Sequence, residues 1–357
     1  MENKSIAMAN IKKTMIEISS TTLFKILALA LLIAFLYYIS DIVLMVFIAL
    51  VLSSAIGPWV NWFQKFKVPR TLGTIFIYVS GFGLLVLSIW LLINPISVEI
   101  KNLAEDFPGY WQQLNYGWQS FDKFSQSHGW QQEVAAAISS IETTMTALAT
   151  NLFGGAISFV GGAFTVLMVL VITFYLAVYD SQMKKKIAQI VPKKYEAYSI
   201  HLIERMQEKI GMWLRGQIIL SLVIFLMTYA GLSLLGVKYA LVLALLAGVT
   251  EIIPYFGPII AGVPAIFVAF TQEPYLGLMT LLMFFIIHQS ENYFITPQIM
   301  RKAVGLNPVI VIVSMLVGAR IAGIAGILIA VPVATALSVL TGDILTHRKI
   351  GFSTFEK

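Results

Sequence analysis

The chain has 357 residues, 58% of them hydrophobic and only 12% charged, with a mean hydropathy of +0.84. Soluble domains carry roughly a quarter charged residues, so this composition excludes an ordinary water-soluble globule and specifies a polytopic membrane protein. The net charge of +6 acquires meaning only when sorted by side of the membrane, and it is no nucleic-acid footprint; the lack of cysteine excludes disulfides, thiol catalysis and thiolate metal sites.

The apolar runs are about 20 residues long rather than alternating ten-residue segments, which makes the spans helices and not barrel strands. The expected fold is therefore all-α, with about eight hydrophobic segments. Four histidines, at 128, 201, 288 and 347, lack metal-ligand spacing, so neither a metal centre nor a cofactor is expected. Lys4, Lys12, Lys13 and Lys25 precede the first apolar core, but no small-residue cleavage site follows. Residues 1–22 read as a cytoplasmic segment before a retained helix.

Three transmembrane helices are expected within residues 23–95. The first covers Leu23 to Ile39 and the second Ile42 to Val60, ending near Gly57-Pro58 and the Trp59/Trp62 pair at headgroup level. The loop that follows carries Lys65, Lys67 and Arg70 and no acid, so it is cytoplasmic by the positive-inside rule. Leu72 to Ile93 returns across the membrane and stops at Asn94-Pro95. Residues 96–151 form a polar helical insert on the extracytoplasmic side, with six acids against two lysines. Val134, Ile138, Ile141, Met145, Leu148 and Leu152 fall at spacings of 4, 3, 4, 3 and 4, a heptad seam that suits packing within the insert or between the subunits of a homo-oligomer.

Residues 152–178 make the fourth span, opened by Gly154, Gly155, Gly161 and Gly162. Residues 179–216 are a basic linker with eight Lys or Arg against four acids, and Ile203, Met206, Ile210 and Trp213 give it one apolar face. A cytoplasmic helix lying on anionic membrane lipid fits this pattern. Residues 217–342 form the transport core, and residues 343–357 a cytoplasmic tail.

Two runs in the core are too long for one crossing. The first, Tyr239 to Phe270, has 32 residues and contains Glu251, Pro254, Gly257 and Pro258 at its middle. Each proline lacks an amide donor and clashes with the preceding turn, so a continuous helix should break there. The second, Pro308 to Leu340, has 33 residues and is interrupted by Gly318, Arg320, Gly323 and Gly326. If both runs enter and leave on the same side, the Arg301/Lys302 loop and the basic C-terminus lie in the cytoplasm, as their charge prefers; two short full crossings each would give the same parity. Helix plus broken hairpin (217–270) is then repeated as helix plus broken hairpin (275–340) with inverted topology. Such pairs mark secondary transporters, whose sites lie where the interrupted helices meet.

Glu251 is the most informative ionisable residue, because a carboxyl at membrane depth is costly and faces a cavity or a partner. Arg320 is its candidate partner: paired, the two would form a gate or anchor; unpaired, Glu251 would carry protons or cations. The plain alternative has Glu251 capping a half-helix and Arg320 reaching the interface. Unwound carbonyls at Pro254 to Gly257, the side chains of Asn292 and Thr296, and the break at Pro297 complete an oxygen-rich pathway for a small polar solute or a dehydrated Na⁺. His288, Gln289 and Glu291 read equally well as headgroup-level polar residues. No His-Glu-x-x-His, Gly-x-Ser-x-Gly, paired membrane aspartates or phosphate-binding Gly-x-x-x-x-Gly-Lys-Ser/Thr is present, so neither an intramembrane enzyme nor an ATP-driven pump is expected.

Several motifs in sequence order also carry a resemblance: Glu251-Ile-Ile-Pro254-Tyr-Phe-Gly257-Pro258 with Gly262 and Pro264, Asn292 to Thr296-Pro297, Gly305-Leu306-Asn-Pro308, Gly318 through Gly323, Gly326, and Ala330-Val-Pro332. Together they resemble the autoinducer-2 exporter family of bacterial membrane proteins. The resemblance implies secondary transport in the bacterial inner membrane, exporting a furanone-type quorum signal or, in other members, Na⁺ or Li⁺ against protons; the basic residues place both termini in the cytoplasm. A membrane scaffold without transport is the remaining class. Where relatives often carry histidine or serine after Leu306, this chain has Asn307.

Overall fold

The computed structural model describes residues 20–128, 164–300 and 306–353. The heptad seam, the glycines at 154–162, the Arg301/Lys302 loop with Gly305, and residues 1–19 and 354–357 lie outside them. The chain divides into two units, Met1–Leu44 and Met45–Lys357. Helix α1 (Ser20–Tyr38) belongs to the first, and α2 (Ser40–Lys65) begins there. The second unit holds α3 (Arg70–His128), α4 (Phe164–Val178), α5 (Asp180–Ala188), α6 (Glu196–Leu235), α7 (Ala240–Thr250), α8 (Gly257–Gln272), α9 (Pro274–Ser290), α10 (Thr296–Met300) and α11 (Pro308–Ser353). No strand occurs among the described residues. Among the described residues, four stretches are long and apolar enough to cross a bilayer, or five if the α4/α5 pair, bent by 78°, is one span. The protein is an all-α, multi-pass membrane protein.

Two boundaries differ from those expected. Helix α3 runs through Asn94-Pro95 and continues for 59 residues in all. A proline removes one intrahelical donor but does not end a helix when the turns on either side continue its bonding. Helix α6 likewise joins the basic amphipathic segment to the following span in one 40-residue helix, closed only at Gly236 in the left-handed region (φ +76°). Nothing between Glu196 and Leu235 is a proline, and Gly211 and Gly216 are held by packing. A Cβ on Gly211 would collide with the Ser54 carbonyl of α2. That carbonyl is free because Pro58, four residues on, has no N–H to give it. Arg215 on α6 reaches this bared stretch of backbone, with Nη1 2.8 Å from Ala55 O and 3.5 Å from Ser54 O.

The 239–270 run doubles back. Across its base the Lys238 N–H donates to Gln272 Oε1 at 3.3 Å; across its tip the Thr250 hydroxyl donates to the Gly257 carbonyl at 3.1 Å. In a straight helix residues 238 and 272 would be about 50 Å apart. The base is held from α3: Glu99 Oε2 accepts from the Val242 N–H at 3.0 Å, within the first turn of α7, and Asp106 accepts from the Tyr239 hydroxyl. A carboxylate at a helix N-terminus satisfies an orphan donor and meets the positive end of the dipole.

The 308–340 run reverses as well, at Ala322 and Gly323, where Gly323 takes φ +58°. Gly318 and Gly326, eight positions apart in sequence, face each other so closely that a Cβ on either would strike the other's carbonyl; Ala330 lies against Gly318 too. Backbone contact of this kind is how helices associate where lipid offers no hydrophobic drive.

Two cores organise the unit. One joins α6, α7, α8 and α9 through Leu220, Ile224, Leu243, Ala247, Ala261, Ala265, Phe284 and Ile287. The other joins α2, α6 and α11 through Val51, Ile210, Trp213, Val311, Met315, Ala330 and Val331, with Ile253 from the first tip packed against it. Because the native chain has no cysteine, the reversal can be checked cleanly. Lys238→Cys with Gln272→Cys should form an intramolecular disulfide under mild oxidation, read as a shift in gel mobility, whereas a straight run would leave both thiols free.

Candidate functional site

The site is built on the tip of the first hairpin. Helix α7 ends at Thr250, residues 251–256 turn without regular structure, and α8 starts at Gly257. Tyr255 takes φ +69°, which an L side chain adopts at a cost, and Gly257 has no alternative: its Cβ would lie 2.6 Å from the Thr250 carbonyl and 2.7 Å from Glu251 Cα. Pro258 occupies the first turn of α8, where a missing N–H costs nothing, and Pro254 stays inside the turn. This geometry turns Glu251 inward, where it is 0% exposed.

From α6, Gln217, itself buried, donates its Nε2 to the Glu251 backbone carbonyl at 2.5 Å. This bond satisfies an unwound carbonyl that the broken helix leaves without an amide partner. One residue earlier, Gly216 lies against Ile299 and Met300, so α6 brings the α10 segment to the same level. Between α9 and α10 the chain widens into a π-helical turn, Glu291–Ile295, in which the Thr296 N–H donates to the Glu291 carbonyl. Pro297 explains the widening, since it cannot donate to the carbonyl four residues before it.

The π turn points Glu291 into the protein, where it is buried beside Glu251. The two carboxyls are close enough for their charges to interact, yet neither Glu251 oxygen nor Glu291 Oε2 makes a hydrogen bond of ordinary geometry. His288, one turn earlier, places Nδ1 3.6 Å from Glu291 Oε2, and Asn292 Nδ2 lies 3.0 Å from His288 Nε2. Thr296 Oγ1 and Ser221 Oγ are buried and unbonded in the same part of α6 and α9–α10.

Arg320 does not complete this set. It is exposed, two residues before the reversal in α11, and the Glu251 carboxyl is unbonded, so the two do not pair. Gly318, Gly323 and Gly326 shape the second hairpin, and Pro297 is exposed. The residues that sequence reasoning passed over are Gln217 and, as an inward carboxyl, Glu291. A signal for Glu291 was present in the proline six residues on, whose effect is to rotate the preceding turn; Gln217 offered none, because one amide at the head of an apolar span also suits a headgroup position.

These features define a polytopic helical protein with two interrupted helices, the first of which carries a buried polar centre at its break. Its sequence matches the profile of the AI-2E family transporter over residues 26–346. The chain belongs to that family. It is 26% identical over 311 residues to YrrI of Bacillus subtilis (strain 168), covering 85% of this chain and 88% of that one. It is 27% identical to YueF of the same organism over 84% and 83% of the two chains, and 23% identical to the AI-2 transport protein TqsA of Escherichia coli (strain K12) over 83% and 84%.

Gln217→Leu should leave the Glu251 carbonyl buried without a donor, at a cost of about 1–3 kcal/mol. The expected result is a lower melting temperature of the purified protein in detergent, with Gln217→Glu failing to restore it; an unchanged melting temperature for Gln217→Leu would mean that the carbonyl is satisfied by another group.

Proposed function

We propose that this membrane transporter is a secondary exporter of a small polar solute of the autoinducer-2 type, working in a bacterial inner membrane with both termini cytoplasmic. The observation that carries the reading is the meeting of the two hairpins: Ile253, in the tip that holds Glu251, packs into the core formed by Val311, Met315, Ala330 and Val331 of the second hairpin. Interrupted helices that meet inside a bundle leave backbone carbonyls and polar side chains free to receive a solute, which continuous helices cannot offer. Glu251, Gln217, Asn292 and Thr296 give that place oxygens and amides suited to a hydroxyl-rich molecule. The relative named as an AI-2 transport protein supports this substrate class. Basic residues at Lys65, Lys67 and Arg70, and across Lys184–Lys186, support the orientation.

A second reading, exchange of Na⁺ or Li⁺ for protons, is favoured by one observation: two adjacent buried carboxyls without bonded cations. In everted membrane vesicles the exporter reading expects energised uptake of the furanone signal, reduced about tenfold or more by Glu251→Gln, since each 1.4 kcal/mol of lost binding is tenfold. Collapse of a preset pH gradient on adding Na⁺ or Li⁺, lost in the same variant, would replace it with cation exchange. Neither response in vesicles carrying folded protein would rule out both substrates.

A further inference from the structure

Beside the hairpin tip, three titratable side chains form a line of decreasing exposure. The His288 side chain is 36% exposed, that of Glu291 6%, and Glu251 is 0% exposed. They come from two separate elements, α9 with its π turn and the α7–α8 tip, and α6 brings the uncharged Gln217 against the Glu251 backbone.

The hydrogen bonding gives the line a direction. An amide Nδ2 is a donor, so its 3.0 Å contact makes His288 Nε2 the acceptor and leaves Nδ1 as the ring's N–H. Nδ1 faces Glu291 Oε2 across 3.6 Å, too long for a hydrogen bond at rest and closed by a small rotation of either side chain. Two adjacent carboxyls with no cation bonded to them cannot both hold a negative charge in a buried place without a large penalty.

We infer that His288, Glu291 and Glu251 form a proton relay, in which His288 passes one proton between the solvated side of α9 and a carboxyl pair that shares it at the hairpin tip. When solvent protonates Nε2, displacing the Asn292 amide, the ring gives its Nδ1 proton to Glu291 Oε2; the proton count of the ring is unchanged and its tautomer is exchanged. Glu291 accepts it as the ionised member of a pair that already keeps one proton on Glu251, and the pair returns to a single shared proton when either carboxyl gives one up by the reverse steps. The relay names the coupling ion of the transport proposed above and rests on that reading only for this coupling role; proton exchange itself needs no transported solute.

The test is therefore made without solute, on the full-length protein in lipid, by following the carbonyl stretch of protonated carboxylic acid with time-resolved infrared spectroscopy after a pH jump. The expected result is a protonated-acid band at neutral pH that is absent in Glu251→Gln/Glu291→Gln. His288→Ala should keep the band but slow its exchange by about a hundredfold, the scale of a lost acid–base group, and added imidazole should restore the rate. Asn292→Ala, which leaves the ring in place, should slow exchange less. Absence of the band in wild type, or wild-type exchange rates in both single variants, would overturn the relay. Lack of imidazole rescue in a His288→Ala protein with a wild-type melting temperature would do the same. Intact exchange with no solute movement in vesicles would instead count against the transport reading and leave the relay standing.

Discussion

The burial of Glu251 is the constraint on which the rest of this molecule depends. A carboxyl at membrane depth is expensive, and so is the unwound backbone that carries it. Both are tolerated because protein packs against the inner side of the turn: Gln217 takes the free carbonyl, Gly257 lets α8 begin against the Glu251 backbone, and Glu291 arrives from the π turn. Replace any of these with a bulkier or apolar group and the tip must either straighten, which Pro254 and Pro258 forbid, or move into lipid, which its polar groups forbid.

The same economy of small residues governs the second hairpin. Gly318 and Gly326 bring two half-helices into backbone contact, and the left-handed Gly323 makes the reversal that no β-branched residue could make. Since lipid tails are as apolar as the helices, such contact, not burial from water, holds the arms together. The two hairpins then differ in chemistry. The first presents the Glu251 carboxyl at its tip, while the second offers an apolar face of Val311, Met315 and Ala330 and keeps its arginine outside.

Away from the tips, ionic groups tie the helix ends together. Asp180, at the start of α5, takes Arg70 of α3 at 3.4 Å, Lys184 at 2.9 Å and Gln207 of α6 at 3.2 Å; Asp343 of α11 takes Arg205 of α6. Glu99 and Asp106 hold the opposite end, where the α3 extension meets the base of the first hairpin. Long helices α3 and α6 thus reach from one set of fastenings to the other.

Composition and the positions of proline and glycine were enough to specify an all-α membrane protein with two interrupted runs, because the cost of unpaired backbone and of charge in lipid acts on any sequence regardless of its partners. They also located Glu251, since a lone acid in an apolar run has few places to go. They misplaced the ends of α3 and α6, where a local breaker or a run of charges was outweighed by turns that continue on either side. Which groups Glu251 meets was a matter for the tertiary structure alone. Arg320 looked suitable because both residues lie in breaks, but the second hairpin turns it outward; Glu291 looked peripheral until the π turn rotated it inward and α6 set it beside the tip. Contacts between residues 40 positions apart depend on how helices rotate and cross, and that is decided by packing against neighbours, not by the local order of residues.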